Sequence, residues 1–128
     1  MRKFVASCAV ALLAVGAFAG SYPEIKIGEL KSAISAGKVA LIDVNGTESW
    51  KEGHIPGAID FAANKDKLAS LLPKDKNALV VAYCGGPKCG AYAQAAKAAK
   101  DLGYTNVKHL VAGISGWKEA GEKTERPS

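Results

Sequence analysis

Two cysteines five positions apart, Cys84 and Cys89, bound the segment Cys84-Gly85-Gly86-Pro87-Lys88-Cys89. A thiolate is the nucleophilic form of cysteine, and it forms most readily where backbone N–H groups or cations face the sulfur. Gly85 and Gly86 have no Cβ, so the backbone can curl and aim several N–H groups at one point. An Ala-rich helix follows, and the free amides and dipole of its N-terminus favour negative charge. Cys84 is therefore read as a nucleophile. Gly85, Gly86, Pro87, Lys88, Cys89 and Gly90 are read as an anion-binding loop, acting through backbone amides with Lys88 as an added cation. Cys89 leaves two readings open: a structural disulfide with Cys84, or a resolving thiol in a dithiol–disulfide redox module. A loop this short removes little chain entropy when closed, so a purely structural role is the weaker of the two.

Other chemistry-bearing residues receive quieter roles. Asp43 follows an apolar run and is expected to support the site by accepting backbone hydrogen bonds. His54, between Gly53 and Ile55-Pro56-Gly57, is expected to stabilise a turn, and His109 to be structural or superficial. Trp50 and Trp117 are expected in the core. With two widely separated His and one cysteine pair in the mature chain, a zinc site lacks ligands.

The elements that must position Cys84 alternate. Glu29–Ala36 has helical composition, with Gly37 as its stop. Val39–Ile42 and Ala78–Tyr83 are unbroken apolar runs, which predicts strands covered on both faces. Thr47 is expected to cap a short helix through Glu52, with Gly53 ending it. Ile59–Phe61 is a short apolar piece, and a helix is predicted near Lys65–Leu72. Gly90–Leu102 reads as the long helix, Val107–Leu110 as a strand and Ile114–Ala120 as a last helix. This rhythm predicts one α/β domain, a central parallel sheet with helices on both faces. In such sheets the binding crevice lies beyond the carboxyl ends of the strands, and Cys84 follows the run expected at the centre.

The chain has 128 residues, 48% hydrophobic and 23% charged, which excludes a disordered or collagen-like polymer. Residues 4–19 carry no charge, follow Arg2 and Lys3, and end in Ala17-Phe18-Ala19. This pattern predicts a secretory signal cleaved after Ala19, leaving residues 20–128 as one periplasmic domain. The apolar run is 16 residues, short of the roughly 20 needed to span a bilayer, so stable membrane insertion is not expected. Loss of Arg2 and Lys3 lowers the net charge from +5 to +3, and the mature chain has one arginine, Arg126. A clustered basic face with arginine contacts is missing, so a nucleic-acid partner is not expected.

Leu41-Ile42-Asp43-Val44, Trp50-Lys51-Glu52-Gly53-His54-Ile55-Pro56-Gly57-Ala58, Tyr83-Cys84 and Ala112-Gly113-Ile114-Ser115-Gly116-Trp117 together resemble the successive signatures of the single-domain rhodanese family. The resemblance implies the rhodanese fold and a sulfurtransferase. Such an enzyme moves a sulfane sulfur from thiosulfate or a related small anion to a thiol or cyanide, through a persulfide on Cys84. It implies no metal and no organic cofactor. Two positions depart from the family pattern. Cys89 stands where the loop commonly ends in arginine, and Asn45 completes Asp43-Val44-Asn45 where Asp-Val-Arg is common. Lysine lacks the planar fork of arginine, so loss of both arginines weakens the grip on thiosulfate and keeps open a non-catalytic binding module.

Overall fold

The computed structural model describes residues 22–127. The expected signal segment, residues 1–19, lies outside the described residues. Helices α1 (Ile27–Ser35), α2 (Thr47–Glu52), α3 (Phe61–Asn64), α4 (Leu68–Leu71), α5 (Tyr92–Asp101) and α6 (Gly113–Glu119) alternate with four strands. The strands are β1 (Val39–Asp43), β2 (Ile59–Asp60), β3 (Leu79–Tyr83) and β4 (Asn106–His109). All pairings are parallel, in the order β2-β1-β3-β4, so β3 is internal.

The register explains why unbroken apolar runs became strands. Side chains alternate across the sheet, and both faces are covered. Ile42, Val80, Ala82 and Val107 pack with Phe61, Leu68, Leu72 and the alanines of α5 on one side. Leu41, Val81 and Tyr83 pack with Leu30, Ile55, Leu110 and Trp117 on the other. Helices thus lie on both faces, as the alternating pattern predicts.

Two local expectations are corrected. Gly46, at φ 93°, is the N-cap of α2. Thr47 instead donates its hydroxyl hydrogen to Asp60 Oδ2 at 2.7 Å. The stretch predicted as a single helix near Lys65–Leu72 is instead a 3₁₀ turn at Lys65–Lys67 followed by α4, with α3 ending just ahead of it at Asn64. Phe61 and Leu68 are the buried anchors of the two short helices, seven positions apart, and the charged 3₁₀ turn runs exposed between them. The C-terminal tail joins the turn before β2 through a bridge between His54 and Glu125.

Helix α5 lies close to the sheet because Ala95, Ala96 and Ala99 face it fully buried. Extra methylenes in a well-packed core force neighbours off their rotamers, at about 1–3 kcal/mol. Ala99→Leu is expected to lower unfolding stability by that amount in urea titration; an unchanged midpoint would show that the contact is loose.

Candidate active site

Sheet register builds the site. Asp43 and Tyr83 are paired at the carboxyl ends of β1 and β3, and Cys84 follows immediately. Tyr83 donates its phenolic hydrogen to Asp43 Oδ2 at 2.6 Å and accepts the Ile55 N–H at 3.1 Å. Asn45 N–H donates to Asp43 Oδ1 at 2.7 Å. Burial pushes the Asp43 carboxyl above its usual range, while these two hydrogen bonds and the nearby His54 pull it back. Burial and the adjacent carboxylate raise the Tyr83 phenol, so it remains a donor. Asp43 thus accepts one backbone hydrogen bond beside the strand end that leads into Cys84. Tyr83 was not singled out from sequence. Its signal was a phenol ending an otherwise aliphatic buried run, where the hydroxyl needs a partner.

The loop after Tyr83 is held from below by α6. Ile114 N–H donates to the Cys84 carbonyl and Ser115 N–H to the Gly85 carbonyl, both at 2.9 Å. Gly113, at φ +63°, allows this approach, because a Cβ there would stand 2.6 Å from Gly85 C and Gly86 N. Asn45, on the other side, has Oδ1 3.8 Å from where a Gly85 Cβ would stand.

Cys84 and Cys89 form a disulfide, with Cα atoms 6.3 Å apart. In this oxidised loop the Cys84 sulfur is bonded to Cys89. The Cys89 N–H closes a turn onto Gly86 O at 3.1 Å, and Cys84 Sγ lies 3.4 Å from the Cys89 carbonyl oxygen. Cys84 is buried, at 1% exposure, whereas Cys89 is half-buried. Gly85, Gly86, Pro87, Lys88, Cys89 and Ser115 line an open recess of about 540 Å³. Gly90 is exposed just beyond, and Gly90 O accepts the Ala93 N–H at 3.1 Å as α5 begins. Ser115, which had no role assigned from sequence, sits here because α6 starts against the loop.

The remaining singled-out residues are structural. His54 is buried, stacks on Trp50 with ring centroids 4.1 Å apart, and bonds Trp50 O through Nδ1 at 2.7 Å. His109 is buried against the Tyr92 ring, and burial lowers its pKa. Trp117 fills the core and donates Nε1–H to Lys123 O at 2.7 Å. Trp50 is only half-buried, with Nε1–H donated to Ala58 O at 2.9 Å.

A cysteine-bearing loop thus follows an internal parallel strand and is held by the last helix. The family model for the Rhodanese-like domain matches residues 26–120, and the chain belongs to that family. A transcriptional regulator of the HTH type from Mycobacterium tuberculosis, Rv0324, is 38% identical over 114 residues, covering 88% of this chain and 49% of the regulator. The chain therefore spans about half the length of that relative. Human thiosulfate:glutathione sulfurtransferase is 27% identical over 76% of this chain and 94% of its own. The solution structure of the rhodanese-like domain of the Anabaena protein Alr3790 superposes with a TM-score of 0.65, at 27% identity, covering 82% of this chain and 80% of that one.

Tyr83→Phe removes the donor to Asp43 and the acceptor for Ile55 N–H within a buried network. Orphaned buried polar groups cost about 1–3 kcal/mol each. The variant is expected to lose about 2 kcal/mol or more in urea unfolding; a loss below about 0.5 kcal/mol would show that water replaces the phenol.

Proposed function

We propose that this protein is a sulfurtransferase that carries a sulfane sulfur on Cys84. The observation that carries the reading is a cysteine directly after an internal parallel strand, in a six-residue loop clamped by α6, within a rhodanese-like domain. An external dithiol reductant opens the Cys84–Cys89 disulfide by thiol–disulfide exchange and is itself oxidised to a disulfide, leaving the working thiol pair. Cys84 thiolate then attacks the outer sulfur of thiosulfate; the S–S bond of the donor breaks and sulfite leaves with the electron pair. The Cys84 persulfide gives its outer sulfur to cyanide or a thiol, and the Cys84 thiolate returns. The flexible loop glycines can turn their amides toward the persulfide anion once the disulfide is open.

A second reading is favoured by the disulfide itself: a dithiol–disulfide redox module in which Cys89 resolves what forms on Cys84. Attack of Cys89 thiolate on the Cys84 sulfur of the persulfide expels hydrosulfide and closes the disulfide. Reduced wild-type protein is expected to make thiocyanate from thiosulfate and cyanide, and Cys84→Ser to abolish it. Mass spectrometry after thiosulfate treatment is expected to find one added sulfur on Cys84, longer-lived in Cys89→Ser. An unmodified Cys84 overturns the sulfurtransferase reading, and thiol oxidation without thiosulfate turnover assigns the redox one.

We further propose export to the periplasm on the strength of the basic start, apolar run and Ala17-Phe18-Ala19. N-terminal sequencing of the protein expressed in a Gram-negative host is expected to begin at Gly20; retention of Met1 on a cytoplasmic product overturns this.

A further inference from the structure

We propose that the oxidised protein loads sulfur from hydrosulfide, using its own Cys84–Cys89 disulfide as the electron acceptor. The inference rests on Cys84 as the sulfur carrier, but adds a donor of a different class, at the sulfide rather than the sulfane oxidation level.

Three observations converge. The disulfide is closed, so an oxidant equivalent is already stored in the loop. Its two cysteines differ in access: residue Cys84 is 1% exposed, while residue Cys89 is half-buried and lines the recess. The recess is edged by backbone and small side chains, with Lys88 as the cation in its lining. Without an arginine fork it has little to hold the planar face of oxygens on a sulfonate, whereas a one-sulfur anion needs no fork.

Thiol–disulfide exchange depends on which sulfur the nucleophile reaches. Hydrosulfide therefore enters at Cys89 Sγ. A new S–S bond forms between the incoming sulfur and Cys89, the Cys84–Cys89 bond breaks, and the electron pair leaves on Cys84 as thiolate. The incoming sulfur is oxidised by two electrons to the sulfane level and the disulfide is reduced by two. The proton of hydrosulfide stays on the persulfide or passes to water. Cys84 thiolate next attacks the outer sulfur of the Cys89 persulfide, giving a Cys84 persulfide and a Cys89 thiolate. Each disulfide supports one such loading, with no external oxidant consumed.

The test uses the full chain, oxidised, under anaerobic conditions with isotopically heavy hydrosulfide. The reaction is quenched by alkylation, and the chain is cut with trypsin. Cleavage after Lys76, Lys88 and Lys97 puts Cys84 and Cys89 on separate peptides. The expected result is one heavy sulfur per chain, first on the Cys89 peptide and later on the Cys84 peptide, with none on pre-reduced protein. Cys89→Ser, which cannot form the disulfide, is expected to take up none. Absence of heavy sulfur on the oxidised chain, equal uptake by the pre-reduced chain, or first appearance on Cys84 would overturn the proposal. The thiosulfate–cyanide assay of reduced protein is read alongside. Its failure with hydrosulfide uptake intact removes thiosulfate as donor, and the opposite pattern removes hydrosulfide alone.

Discussion

The hydrogen-bonded chain Asn45–Asp43–Tyr83–Ile55 is the constraint on which the site depends. It ties the ends of two adjacent strands to the turn that leads into β2, one residue before the nucleophile. A buried carboxylate in an apolar sandwich is costly alone, and a buried phenol nearly so. Each satisfies the other, and the Ile55 amide completes the set. The polar network thus specifies register: a slip of β3 by one residue would point Tyr83 at the opposite face and leave Asp43 with one fewer donor.

Much of this architecture was legible because the physics was local. Val39–Ile42 and Ala78–Tyr83 are too short for helices and too apolar to face water, so a doubly covered parallel sheet was the available solution. Gly53 and Gly103 end helices where expected, and the alanines of the long helix signal close approach to the sheet. The failures have a common cause. Thr47 has the chemistry of a cap, yet Asp60, thirteen positions away, captured its hydroxyl. Lys65–Leu72 has helical composition, but Phe61 ahead of it and Leu68 within it are anchored in the core seven positions apart, with a charged 3₁₀ turn between them. Partners distant in sequence decided both, and composition does not report them.

The site was legible to a similar depth. A glycine-rich cysteine loop after the internal strand follows from the order of residues alone. Its oxidation state does not, because a pair five apart can close or stay open with equal ease in sequence terms. In the closed pair, the residue anticipated as the nucleophile is buried and its partner is half-buried. Replacement of the loop's last position by Cys89 is thus more than a lost positive charge. It converts the rim of an anion cradle into an electron acceptor, a change of chemistry that electrostatics alone does not anticipate.

The approach of Gly113 to the loop decides what a change in oxidation state can move. The carbonyls of Cys84 and Gly85 are anchored to α6 by bonds in which neither sulfur takes part. The root of the loop is therefore held by contacts to which the cysteine bridge contributes nothing. The strand end that carries Cys84 is moored by a helix almost thirty residues further along the chain.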